Sequence, residues 1–138
     1  MSNRIAIIGA GNVGRALAIS ATRAGYQVTV SSRHPKDASQ IATATGATVA
    51  TSARGAIANA DIVILAVPYT ALETLSAGLS NVLAGKIVVD VSNRPTQAGP
   101  SIAETLQARL PDAHVVKAFN TVFASRQADP MVDGIPVD

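Results

Sequence analysis

Four apolar residues, Ile5-Ala6-Ile7-Ile8, run without a polar break into Gly9-Ala10-Gly11-Asn12-Val13-Gly14, and an alanine-rich stretch follows at once. A continuous apolar run is what a strand buried on both faces requires. Val13, Ala16, Leu17, Ala21 and Ala24 then recur at helical spacing, predicting a helix over Val13 to Ala24 with Gly25 as its stop. Strand, glycine-rich turn and helix in that order leave few folds open. The pattern G-x-G-x-x-G says little alone, but here it sits in the context that gives it meaning.

Each glycine then has a physical task. Gly9 permits the tight turn, Gly11 lets a pyrophosphate approach the backbone, and Gly14 lets the helix pack closely on the strand. The helix N-terminus offers free N–H groups and the positive end of its dipole to phosphate. Asn12 and Val13 are expected to lie along such a ligand. The alternative is a strand-to-helix turn with no ligand.

The same rhythm continues. Strands are predicted at Gln27 to Ser31, Ala47 to Ala50 (weakly), Asp61 to Val67, Lys86 to Val91 and His114 to Ala118. Between them, Pro35 opens a helix through Ile41, Ser52 caps one over Ala53 to Ala58, and Gly85 ends one that runs toward Leu83. Thr70-Ala71-Leu72-Glu73 and Ser101-Ile102-Ala103-Glu104 have the form of capping boxes, the second helix ending at Leu110 before Pro111. The expected architecture is α/β: a Rossmann-type doubly wound parallel sheet of about six strands in the order 3-2-1-4-5-6. From Ser125 to Asp138 the chain reads as loop, with Ile135 and Val137 as the start of a further strand.

Composition narrows the chemistry. The 138 residues are 48% apolar but only 3% aromatic, so the core must be aliphatic. Without cysteine there is no disulfide, thiolate zinc site or thiol nucleophile. Two histidines with no carboxylate cluster make a metal site improbable, and none is expected. A net charge of +2 with no basic run and no interleaved aromatics argues against nucleic acid. The apolar runs are strand-length, too short for a secretory leader or a membrane span, so a cytoplasmic protein is expected.

The tip of the second strand carries the selectivity signal. An NAD-preferring domain places an acid about 20 residues past the loop, on the ribose 2′-hydroxyl. Here the chain reads Ser31-Ser32-Arg33-His34-Pro35-Lys36, with no acid before Asp37. Ser32 can donate a hydroxyl hydrogen bond to a 2′-phosphate, Arg33 can make charge-assisted bonds and stack on adenine, and Lys36 can add a cation. One such charged bond contributes about 1.5–3 kcal/mol. Two would separate NADP from NAD by a factor on the order of a hundred or more. The alternative is an ordinary solvated turn.

Beyond the carboxyl ends of the later strands lie Val67 and Pro68, Ser92 and Asn93, and Asn120 and Thr121. Pro68 would form a rigid wall, while Asn93, Asn120 and Thr121 suit a carboxamide. A turn or strand-end role is the alternative for each. No nucleophile–base pair is visible and no Tyr-x-x-x-Lys. Hydride transfer between two redox cofactors needs neither, only positioned rings and excluded water.

Val30-Ser31-Ser32-Arg33, Ala66-Val67-Pro68, Val89-Asp90-Val91-Ser92-Asn93 and Val116-Lys117-Ala118-Phe119-Asn120-Thr121 together resemble the coenzyme F420-dependent (deazaflavin) NADP oxidoreductases. They are similar also to the oxidoreductase domain of the transmembrane metalloreductases. The resemblance runs from about Ile5 to Thr121. It implies NADPH as hydride donor, Ser32 and Arg33 on its 2′-phosphate, and Asn120 and Thr121 near its nicotinamide. It implies a deazaflavin or flavin as acceptor and second redox cofactor. Members of that family continue past Ile135-Pro136-Val137 with a strand and a helical segment that helps form the acceptor pocket and often a dimer contact. The expectation is therefore a single NADP(H)-binding domain over residues 1–138 that lacks this segment, with a homodimer implied by the resemblance. A non-catalytic NADP(H)-binding module, sensing redox state through a partner, is the alternative from another class.

Overall fold

The computed structural model describes residues 4–93, 99–120, 124–129, 131–132 and 135–136. Six strands form one parallel sheet: β1 (Arg4–Ile8), β2 (Gln27–Ser31), β3 (Thr48–Val49), β4 (Ile62–Leu65), β5 (Ile87–Asp90) and β6 (His114–Lys117). Their order is β3-β2-β1-β4-β5-β6, as the alternation of apolar strands and helices predicts. β4 is shorter than the apolar run that announces it, since Ala66 and Val67 already leave the ladder.

Alternation along each strand feeds two cores. Ala6, Ile8, Val63, Leu65 and Val88 face α3 (Ala53–Ala58), α4 (Leu72–Leu83) and α5 (Ile102–Arg109). Ile5, Ile7, Val28, Val30, Ile64 and Val89 face α1 (Asn12–Arg23) and α2 (Pro35–Thr45). Covering both faces explains why the strand runs are apolar rather than alternating. Each fully buried Ile or Leu stabilises the fold by about 1.5–3 kcal/mol.

Several local signals act as their chemistry suggests. Beyond α1, Tyr26 N–H reaches the Ala21 carbonyl and Gly25 N–H the Thr22 carbonyl, the paired bonds of a Schellman stop. Ser52 and Ser101 accept the N–H groups of Gly55 and Glu104 at 3.0 and 3.1 Å and cap α3 and α5. Others differ. Thr70 caps nothing: Pro68 starts a 3-10 turn over Tyr69–Ala71, its carbonyl accepting Ala71 N–H, and α4 begins only at Leu72. Helix α2 continues a turn past Ile41 because no breaker precedes Gly46. Ala24 is exposed, since α1 ends at Arg23; Ala18 is buried in the face instead. In the tail, α6 (Ala124–Ala128) packs on α1, where the Arg23 guanidinium donates to the Ala128 carbonyl. Met131–Val132 and Ile135–Pro136 then pair as a small antiparallel hairpin, β7 and β8.

Candidate functional site

In a parallel sheet every carboxyl end lies on one edge. The register aligns Ile8 with Ser31 and Leu65, Leu65 with Asp90, and Asp90 with Lys117. The turns that follow these strands therefore gather along one rim. The sequence-predicted residues lie there, apart from Thr121, which falls outside the described residues.

The three loop glycines occupy three different environments. Gly9 has φ +111°, and a Cβ there would lie 2.1 Å from the Ala66 carbonyl oxygen. Its N–H donates to the Ser31 carbonyl at 2.8 Å, joining the turn to β2. A Cβ on Gly14 would lie 2.2 Å from the Gly9 carbonyl oxygen, so α1 is pressed onto the turn. Gly11 is the opposite case: nothing lies within 4 Å of its would-be Cβ, and φ is −79°. Its lack of a side chain answers no constraint within the fold and leaves room for a ligand.

Helix α1 starts at Asn12 with no side-chain cap and no acid in its first turn. Its leading N–H groups are thus open to an anion. Asn12 is exposed, whereas Val13 is half-buried and packs into the core beside α1. Val13 can therefore offer a ligand its main chain more readily than its side chain.

At the end of β2, Ser31 is buried. Ser32 Oγ accepts the His34 N–H at 3.0 Å, which fixes the hydroxyl while leaving its own proton free to donate. Arg33 and Lys36 are exposed and have no ion-pair partner among the described residues. Helix α2 follows with Pro35 in its first turn and, like α1, no side-chain cap.

The rim beyond β4, β5 and β6 is built differently. Val67 is half-buried against the α3–α5 core, and Pro68 is exposed with extended backbone. Ser92 is buried, and its hydroxyl points inward, donating to Asp90 Oδ1 at 2.7 Å. Asn93 is exposed, and its Nδ2 donates to the Asn120 carbonyl at 3.1 Å, so these two residues are brought together. Asn120 itself is exposed, just after Phe119 at φ +62°.

Sequence reasoning gave no role to Asp90 or Lys117. Asp90 is 0% exposed, and its Oδ2 accepts from Lys117 Nζ at 3.1 Å. One acid and one lysine, each closing an otherwise apolar strand run, were the available signal.

A separate pocket of about 260 Å³ opens at the amino end of β1 and β2, under α3, lined by Arg4, Gln27, Thr29, Thr48 and Asn59 among others. It is at the far end of the strands from the glycine loop. Arg4 there is paired with Asp61 at 3.2 Å, which holds the Asp61 carboxyl below the usual carboxylate range and raises the Arg4 guanidinium. Among the described residues, no group of three or more His, Cys, Asp or Glu is placed to hold a metal ion, and no helix is long and apolar enough to cross a membrane.

Residues 4–94 match the family described as "NADP oxidoreductase coenzyme F420-dependent". Human metalloreductase STEAP2 is 36% identical over 125 residues, which is 87% of this chain and 24% of that protein. The chain thus spans about a quarter of the length of this relative. A protein of Sinorhizobium meliloti with no assigned role has a crystal structure that superimposes with a TM-score of 0.82 at 37% identity, over 97% of this chain and 69% of that one. A protein of Arthrobacter sp. assigned as an F420-dependent NADP-reductase gives 0.81 at 30%, over 94% and 67%. With the motif, the fold and these similarities in agreement, the chain belongs to the coenzyme F420-dependent NADP oxidoreductase family.

Proposed function

We propose that residues 1–138 form a single NADP(H)-binding domain, and that it serves an oxidoreductase passing hydride between NADPH and a deazaflavin or flavin. The observation that carries the reading is Gly11 at the start of α1, where nothing in the fold lies within 4 Å of a would-be Cβ and a ligand can approach the backbone. The uncapped start of α1 supports a pyrophosphate beside it. Ser32, with its proton free, and the cations of Arg33 and Lys36, unpaired among the described residues, support a 2′-phosphate at the end of β2. Gly9, Gly14 and Ser31 hold that edge in shape. Asn12, Val13, Val67 and Pro68 border the dinucleotide, and Asn93, Asn120 and Thr121 are assigned to its carboxamide. Ser92, whose hydroxyl and N–H both donate to Asp90, contributes by holding the turn that carries Asn93.

When bound, NADPH supplies the hydride. The residues present are suited to binding, orienting and shielding, and no proton transfer by the protein is required. The acceptor is proposed from the family description and from the role assigned to the Arthrobacter relative. The reading carries with it a cytoplasmic homodimer, to be checked by cell fractionation and light scattering.

Calorimetric titration with NADP and NAD in one buffer tests the binding reading. A preference for NADP of at least tenfold is expected, and binding of neither overturns it. NADPH oxidation is then followed with a flavin and with a deazaflavin. Binding without oxidation by either acceptor shifts the conclusion to the non-catalytic module.

A further inference from the structure

Asp90 is the one buried charged side chain among the described residues, and the dinucleotide reading does not explain its place. Burying a charge is costly, and an apolar pair of similar volume serves stability as well or better. Yet Asp90 is fully buried at the end of a strand otherwise made of Ile87, Val88 and Val89. Its partners show what it accomplishes. Oδ1 accepts both the N–H and the hydroxyl of Ser92, at 2.9 and 2.7 Å. Oδ2 accepts from Lys117, its register partner on β6. Lys117 Nζ also donates to the Ser92 carbonyl. Both main-chain polar groups of Ser92 are therefore held by side chains, one from each of two neighbouring strands.

The next residue is Asn93, whose side chain crosses to the Asn120 carbonyl. A continuous set of bonds thus runs from Lys117 and Asp90 through Ser92 and Asn93 to Asn120. It fixes the two turns leaving β5 and β6 relative to each other, at the end of the rim away from Ser32 and Arg33.

From this we propose that Lys117, acting through Asp90 and Ser92, is a positioning residue for the nicotinamide end of the dinucleotide. Its ammonium is turned onto Asp90 Oδ2 and the Ser92 carbonyl, and it touches neither ring nor phosphate. It holds Asn93 and Asn120 where a carboxamide can meet them. The proposal rests on the NADP(H) reading above.

The test separates the two ends of the ligand. NADPH and 2′-phospho-ADP-ribose, which lacks only the nicotinamide, are titrated against the parent chain, Lys117→Met and Lys117→Arg. Lys117→Met is expected to bind NADPH about tenfold more weakly while binding 2′-phospho-ADP-ribose as the parent does, the change being that of the neutral hydrogen bonds which a displaced Asn93 and Asn120 no longer make to the carboxamide. Lys117→Arg, which keeps the cation, restores most of the difference. Parallel weakening of both ligands, or no change in either, overturns the proposal and leaves the NADP(H) reading standing. A parent chain that binds neither ligand overturns both. Should Lys117→Met fail to fold, the double variant Asp90→Asn, Lys117→Met removes the Lys117 bonds while leaving no buried charge unpaired and keeping an acceptor for Ser92, and the same loss confined to NADPH is expected; a loss shared by both ligands, or no loss in either, overturns the proposal.

Discussion

The two halves of the carboxyl rim treat their polar groups in opposite ways. Beyond β1 and β2, donors are left open: α1 and α2 start without side-chain caps, and Arg33 and Lys36 have no partner among the described residues. Beyond β5 and β6, the polar groups satisfy one another, with Asp90, Ser92, Lys117, Asn93 and Asn120 joined in one network. The contrast is sharper because this chain does cap helices elsewhere, with Ser52 and Ser101. Open donors suit a multiply charged anion, which can replace water without competing against internal bonds. A prebuilt frame suits an uncharged group, which is held by shape and a few fixed contacts.

Glycine substitutions should break the first half most severely. Gly14→Val drives a side chain into the Gly9 carbonyl, so loss of the folded chain is expected, seen as loss of a cooperative thermal transition. Gly11→Val meets open space and should melt within a few degrees of the parent, yet bind neither NADP nor NAD by calorimetry. Retained affinity in a folded Gly11→Val chain would falsify the pyrophosphate assignment.

Next in size is Arg33→Ala. Removing one charged contact of about 1.5–3 kcal/mol should weaken NADP roughly 10- to 150-fold and leave NAD nearly unchanged. An equal loss for both would mean that Arg33 does not read the 2′-phosphate. Ser32→Ala should act in the same direction but less, about fivefold, since a hydroxyl contributes on the order of 1 kcal/mol. If NAD suffers as much as NADP, the hydroxyl serves only the turn it makes with His34 N–H.

The smallest effect belongs to the opposite end of the strands. Arg4 lowers the carboxyl pKa of Asp61 in the folded state. Stability from this pair is therefore present above the unfolded carboxylate value of about 4 and is lost as pH falls through the lower folded value. Arg4→Gln should lower the urea midpoint slightly at pH 7, and the gap should close toward pH 3. A gap that stays constant with pH would show that the pair adds no electrostatic stability.

What could be read from the sequence was local or periodic. The glycine loop and the caps at Ser52 and Ser101 each follow from a handful of adjacent residues, and the strand order follows from the repeated alternation of apolar strands with helices. Thr70-Ala71-Leu72-Glu73 misleads because Pro68, two positions upstream, winds the chain into a 3-10 turn that places Thr70 inside it rather than at its entrance. The Asp90–Lys117 pair was hidden because it depends on register between β5 and β6, 27 residues apart, and no local pattern records register. The same is true of Asn93 and Asn120, whose meeting depends on how two turns leave the sheet.

The bare first turn of α1 has a consequence for how long the protein survives. A folded-state-only ligand stabilises a protein by an amount that grows with its concentration, about 2.7 kcal/mol at a hundredfold excess over Kd. For a small domain that is a large share of the total. The nucleotide would then act as a removable part of the core, and the lifetime of the chain in a cell would follow the size of its NADP(H) pool.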